Sequence, residues 1–118
     1  MRPAWALAAL LATSPAFAQE RPPGAVKALV ALSRVLGESH AIRRACEGTQ
    51  DQFWRGRMQQ LLDVEDPDVA LKTQLSVAFN DAFNAARALY PKCSALARAE
   101  AHRIARAGRS LSERLGAP

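Results

Sequence analysis

The sequence has few of the residues from which metal centres and cofactor sites are built. It contains two cysteines, two histidines and seven aromatic residues among 118 positions. Two cysteines exclude a four-cysteine zinc cluster, and both His40 and His102 are followed at i+4 by an arginine instead of a second ligand. The absence of a Cys-x-x-Cys-His sequence excludes attachment of a c-type haem. The sequence therefore predicts neither a metal site nor a cofactor.

The short signatures of common enzyme classes are also missing. There is no Gly-x-Ser-x-Gly sequence and no glycine-rich phosphate loop. A chain of 118 residues is one domain and is too short for an enzyme of two lobes. Acidic residues cluster at Glu65, Asp66 and Asp68, but they lie at a predicted helix junction, where capping accounts for them. We therefore predict a non-enzymatic protein, and the sequence leaves its oligomeric state open.

Residues 1–18 have the order of a secretory signal peptide. Arg2 precedes an apolar run of about nine residues, and the small residues Ala16 and Ala18 provide a cleavage site. A bilayer crossing needs roughly 20 apolar residues, so no integral membrane span is predicted. A retained amphipathic helix is the alternative. We predict cleavage after Ala18 and export to the periplasm, with residues 19–24 as an extended lead-in.

The excess positive charge is confined to the last quarter of the chain. The net charge is +5, and removal of residues 1–18 removes one arginine and leaves +4. Residues 19–91 hold nine basic and nine acidic residues, whereas residues 92–118 hold six basic and two acidic residues. Export argues against nucleic acid as a partner. The remaining anionic partners are lipid headgroups, envelope polysaccharide or an acidic protein face.

Apolar residues recur three or four positions apart in four stretches, which predicts four helices. No alternating strand pattern and no internal repeat is found. Because the connections are short, we expect neighbouring helices to pack antiparallel, and we predict an all-α, small four-helix bundle over residues 25–116. The predicted helices span residues 25–46, residues 51–65, the stretch from Asp66-Pro67-Asp68 to about Tyr90, and the stretch from Cys93 or Ser94 to Leu115.

Three local patterns refine these helices. Thr49 with Gln52 fits a capping box that opens the second helix. Residues 66–68 place a cap and a proline at the start of the third helix, whose buried face is expected to run as far as Leu89. Gly37 interrupts the first helix, which indicates either a close packing point or a local bend.

The two cysteines fall at predicted helix ends. Cys46 would end the first helix and Cys93 would begin the fourth. In an exported chain two cysteines most economically pair with each other. A redox-active pair, which is the alternative, usually has a close spacing such as Cys-x-x-Cys. We therefore predict a structural disulfide that joins the two helix ends.

The order of several short motifs resembles a known family. The chain carries Leu-Gly-Glu-x-His, Cys, Trp-Arg-x-x-Met, Phe-Asn and Tyr-x-x-Cys, beginning at Leu36, Cys46, Trp54, Phe79 and Tyr90. Over about residues 27–115 it resembles an uncharacterised alphaproteobacterial family of small exported proteins with two well-separated cysteines, known as a domain of unknown function. The resemblance implies export and a disulfide, and it implies no activity. The chain departs from the family pattern after the Phe-Asn pair, where Asp81 replaces an expected glycine.

Two sets of residues are candidate interaction sites. A basic face of the fourth helix lies within about 80° of arc and would contact an anionic surface or an acidic partner, unless it is merely solvated. A polar–aromatic groove would use Arg and Trp as interface anchors, unless its members make bonds between helices. The basic face comprises Arg98, His102, Arg106 and Arg109, and the groove comprises His40, Arg43, Trp54, Arg57, Asn80 and Tyr90.

These patterns support three hypotheses about function. The first is an exported, non-enzymatic helical protein that acts through another envelope protein or an envelope surface. The second is a periplasmic protein that binds a small ligand between its helices, and the third is an enzyme of an unrecognised type. A flat, exposed groove around Trp54 would favour the first and a polar-lined cavity the second. A strongly shifted titratable pair in a cleft would favour the third.

Overall fold

The computed structural model describes residues 21–116, which fold into four α-helices and contain no strand. Among these residues no helix has the length and apolar character to cross a membrane. The all-α prediction is confirmed, whereas the predicted signal peptide lies outside the described residues. The helices are α1 (Ala25–Glu47), α2 (Phe53–Glu65), α3 (Val69–Leu89) and α4 (Ala95–Gly116).

Helix α1 is central and packs against each of the other three helices, most extensively against α3. The predicted disulfide is confirmed, since Cys46 near the end of α1 is bonded to Cys93 just before α4. At the other end of this contact, Gly108 of α4 lies against Val35 of α1. Residues further along α4 thus contact residues nearer the start of α1, which means that the two helices run antiparallel.

Helices α1 and α3 come together at Gly37. A Cβ atom at this position would lie 2.2 Å from the carbonyl oxygen of Phe79 and 3.1 Å from the backbone nitrogen of Phe83. Further along α1, the Arg44 guanidinium lies over the Phe83 ring, so the two helices run parallel. Of the two roles predicted for Gly37, close packing is therefore the one observed.

The apolar side chains form two adjoining clusters. The predicted stripes supply most of both, but the prediction for Leu89 is wrong, because its side chain is 73% exposed at the last residue of α3. The smaller cluster lies beside the disulfide and contains Ile42, Ala97 and Ile104. The larger cluster contains Leu29, Leu32, Leu36, Met58, Leu75, Phe79 and Leu111.

The helix starts differ from the predicted ones in two places. The capping box of Thr49 and Gln52 is wrong, since α2 begins at Phe53 and the Gln52 side chain makes no capping hydrogen bond. Instead, Asp51 Oδ1 accepts a hydrogen bond from the Phe53 amide at 3.1 Å. Helix α3 is capped by Asp68, which places the proline before the cap and not at the first helical position.

Candidate functional site

An exposed aromatic ring at the start of α2 contacts arginines from α1 and α2. Phe53 is 44% exposed, and the guanidinium carbons of Arg43 and Arg57 lie 4.6 and 5.3 Å from its ring centroid. Trp54 meets the same ring edge-on, with the centroids 4.9 Å apart. Cation–π and edge-to-face contacts of this kind orient all four side chains. We call Arg43, Phe53, Trp54 and Arg57 the Phe53 surface.

A hydrogen-bonded ion pair fixes this surface to α1. Arg43 Nε donates to Asp51 Oδ1 and Oδ2 at 2.9 and 3.0 Å, and Oδ1 also accepts from the Phe53 amide. Partial desolvation raises the pKa of Asp51, but the hydrogen bonds from the Phe53 amide and the Arg43 guanidinium outweigh this effect. The pKa of Asp51 is therefore lowered. Asp51 is therefore ionised at neutral pH and holds Arg43 and Phe53 in place.

A cavity of about 260 Å³ opens between α1 and α4 beside the Phe53 surface. It brings together members of both predicted sets, namely Arg43 and Trp54 from the groove and Arg98 and His102 from the basic face. Ser39 also lines the cavity, and its buried Oγ has no hydrogen-bond partner within residues 21–116. This α1–α4 cavity is lined by Ser39, Ile42, Arg43, Cys46, Glu47, Trp54, Arg98, Ala101, His102 and Ala105.

His40 lies instead at the contact of α1 with α3. Its side chain is 2% exposed, and its ring centroid is 5.8 Å from that of Phe79 and 5.1 Å from that of Phe83. Burial lowers the pKa of His40, and the charges of Arg44 and Arg55 lower it further. The imidazole is therefore neutral at physiological pH. Its Nδ1 has no hydrogen-bond partner in the described part of the chain, so the ring packs as an aromatic group.

The remaining candidate residues are spread over the molecule. Asn80 is exposed on α3, and Tyr90 packs against the smaller apolar cluster, so the structure does not bring all six groove residues to one place. The four basic-face residues are all exposed on α4. Two of them, Arg106 and Arg109, lie outside the α1–α4 cavity. The residues that converge are thus Arg43, Trp54, Arg98 and His102, with Phe53 beside them.

A second opening, which the sequence did not indicate, is a cleft of about 480 Å³ that is lined by residues of α1, α3 and α4. Arg103 donates to the Glu100 carboxylate through Nε at 3.1 and 2.9 Å and through Nη2, and these hydrogen bonds lower the pKa of Glu100. Burial raises the pKa of Glu38 and the charge of Glu100 raises it further, against the opposing charges of Arg103 and Arg34. Because Arg103 binds Glu100, the carboxyls of the cleft that form no ion pair within residues 21–116 are those of Glu38 and Asp81.

Replacement of Glu38 by glutamine should raise the stability at about pH 7. A raised pKa in the folded state means that ionised Glu38 opposes folding, so its contribution to stability is full below the unfolded pKa and is lost as the pH rises through the folded pKa. We expect Glu38→Gln to melt a few degrees higher than the wild type at about pH 7 and at nearly the same temperature at about pH 3.5. Thermal unfolding followed by circular dichroism measures both values.

The same cleft supplies the control for this experiment. The pKa of Glu100 is lowered, so its ionised form stabilises the fold and Glu100→Gln should lower the melting temperature at about pH 7. If Glu38→Gln also melted lower than the wild type at that pH, the assignment of Glu38 as an unfavourably placed carboxyl would be wrong.

The family comparison covers all four helices. A family model described as "Protein of unknown function (DUF2385)" matches residues 26–117. No curated protein and no solved structure matches the chain. The matched range contains both cysteines, the Phe53 surface and the α1–α4 cavity. Within the residues that the structure describes, no three His, Cys, Asp or Glu side chains are grouped so that they could hold a metal ion.

Proposed function

The chain belongs to this family of proteins of unknown function, DUF2385, and because the family name assigns no activity, we propose a function from the chain's own residues. The proposed protein is exported and non-enzymatic. It acts by binding an acidic segment of another envelope protein at the Phe53 surface, with the basic face of α4 extending the contact.

Export is supported by the disulfide and by the order of residues 1–18. Disulfides form and persist in oxidising compartments such as the periplasm. An arginine, a short apolar run and a small-x-small site are typical of a cleavable export signal. The periplasmic location, cleavage after Ala18 and alphaproteobacterial origin are predictions on this basis and on the resemblance.

The observation that carries the proposal is the exposed Phe53 ring in contact with two guanidinium groups. Aromatic and arginine side chains are enriched at protein interfaces and dominate their binding energy. The charge of Arg43 is offset by Asp51, whereas Arg57 donates to the neutral Gln60 side chain at 3.2 Å. Arg57 therefore brings uncompensated positive charge to the surface, which favours an acidic partner.

A photo-crosslinking residue at position 53 tests the proposal in intact cells. We expect it to capture a protein from the periplasmic fraction, with an acidic segment at the crosslinked site. Val77 is the matched control position, because it is 50% exposed on α3 and lies outside the Phe53 surface. Equal capture of the same protein at both positions would argue against a specific site at Phe53.

Substitutions then measure the contribution of the surface to binding the captured partner. We expect Phe53→Ala and Arg57→Glu each to weaken the affinity about ten-fold or more at an unchanged melting temperature, and Val77→Ala to change it less than about two-fold. Binding should also weaken as salt is added, because its charged contacts are exposed. A partner that binds the Arg57→Glu variant as tightly as the wild type would rule out the proposed surface.

Binding of a small ligand in the α1–α4 cavity is a second candidate function. It is favoured by the buried Ser39 Oγ, which has no hydrogen-bond partner within residues 21–116 and lines that cavity. The two functions make different predictions for Phe53, which does not line the cavity. Phe53→Ala should weaken binding of the protein partner and leave binding of a small ligand in the cavity unchanged.

A further inference from the structure

A third opening lies on the other side of α1, where the last turns of α1 and α3 meet the loop before α4. Its volume is about 200 Å³. Phe83 is one of its lining residues, and the guanidinium carbons of Arg44 and Arg87 lie 5.5 and 5.6 Å from the centroid of the Phe83 ring. This Phe83 pocket is lined by Ala41, Arg44, Ala45, Thr49, Phe83, Arg87, Tyr90 and Pro91.

The two arginines of the Phe83 pocket have no acidic counterpart there. The lining contains no aspartate or glutamate, and within residues 21–116 neither Arg44 nor Arg87 forms an ion pair. Arg44 Nε is buried and has no hydrogen-bond partner among the described residues. A buried donor of a charged group is costly when it is unpaired, so the pocket favours a ligand that accepts hydrogen bonds.

Two helix ends reduce this positive charge without cancelling it. Arg44 and Arg87 lie in the last turns of α1 and α3, and each helix C-terminus carries about half a negative charge. Together these ends offset about one of the two arginine charges. An anion that enters the pocket therefore still meets a net positive charge.

We propose that the Phe83 pocket binds a phosphate group through Arg44, Arg87 and the hydroxyl of Thr49. One guanidinium fork is enough to engage the two oxygens of a carboxylate. Two forks from different helices, with a hydroxyl beside them, match the three or more oxygens and the roughly double charge of a phosphomonoester. The shared chemistry is that of a terminal phosphate, which either a lipid headgroup or a free phosphate provides.

Titration of the oxidised, ¹⁵N-labelled protein with inorganic phosphate tests the proposal, with the ionic strength held constant by sodium chloride. We expect saturable shifts of the amide resonances that line the pocket. Arg87→Gln should weaken binding about ten-fold or more, because it removes one of the two guanidinium groups, and Arg87 is exposed on α3 and lies outside the apolar core. Arg87→Lys should cause a smaller loss, because it keeps the charge and loses the fork. Lys72→Gln, an equal charge change at an exposed position of α3, should change binding less than about two-fold.

Two results would overturn the proposal. One is a phosphate titration that does not saturate or that is the same in Arg87→Gln and Lys72→Gln. The other is acetate that saturates the same resonances at the same or lower concentrations, which would assign the pocket to carboxylates. A melting temperature of Arg87→Gln equal to that of the wild type shows that the loss is one of binding and not of folding.

Vesicles identify the source of the phosphate. Sedimentation with vesicles of phosphatidylcholine that contain phosphatidic acid, when lost in Arg87→Gln, supports a lipid headgroup. Binding of inorganic phosphate without sedimentation supports a soluble phosphate or phosphomonoester. Phe53 lies outside this pocket, so the result is independent of the proposed protein partner.

Discussion

Serine in place of both Cys46 and Cys93 should lower the free energy of unfolding by about 4 kcal/mol. The bond joins residues 47 apart in the sequence, and the chain-entropy model gives about this value for a loop of that length. A domain of this size has a total stability on the order of 5–15 kcal/mol, so the loss is a large fraction of it. We expect a fall in melting temperature on the order of 15–30 °C, measured by circular dichroism.

Reduction of the wild-type protein supplies the control for this prediction. The reduced wild type should melt close to the double serine variant, and the variant should be insensitive to reductant. The loss of stability should be largest at the smaller apolar cluster, which lies beside the disulfide. Amide hydrogens at the start of α4 should therefore exchange with solvent fastest in the variant. A change of less than about 1 kcal/mol would show that packing, and not the bond, holds α4 against α1.

Most of the fold follows from the spacing of apolar residues. In α4 the predicted inner positions Ala97, Ile104 and Leu111 are all buried, because a 3.6-residue period places them on one face. The same periodicity wrongly predicts a buried Leu89. Leu89 is the last residue of α3, and its side chain is exposed. The periodicity also gave no information about which helix is central. Gly37, whose two predicted roles the sequence leaves open, allows α1 to approach the backbone of α3 closely.

Less of the candidate site than of the fold could be predicted from the sequence, because the site combines side chains from three helices. Trp54 and Arg98 belong to different predicted sets, and they line one cavity because α2 and α4 both pack against α1. The sequence predicts Asp51 only as part of a helix start, whereas its carboxylate accepts hydrogen bonds from Arg43 and the Phe53 amide. The sequence groups His40 with the groove because it adjoins an apolar stripe, whereas its ring packs against Phe79 and Phe83 of α3.

Alanine in place of Gly37 should destabilise the protein by about 2 kcal/mol, although alanine is the better helix former. The new Cβ would lie 2.2 Å from the Phe79 carbonyl oxygen, and a backbone atom has no rotamer by which to move away. Overpacking of this kind costs roughly 1–3 kcal/mol or more, against a gain of about 1 kcal/mol in helix propensity. Because α1 and α3 must separate, the His40 ring should also lose its contacts with Phe79 and Phe83.

The chain offers matched controls in two other helices. A Cβ at Gly56 in α2 meets nothing within 4 Å, so Gly56→Ala should stabilise the protein by up to about 1 kcal/mol. A Cβ at Gly108 in α4 would lie 2.9 Å from the Val35 side chain, which is able to rotate. The free energy of unfolding of Gly108→Ala should therefore lie between those of Gly37→Ala and Gly56→Ala. Chemical denaturation of the three variants measures the order directly. If Gly37→Ala were as stable as Gly56→Ala, the backbone contact of α1 with α3 would be looser than the structure shows. The placement of Arg44 and Arg87 around Phe83 would then lose its support.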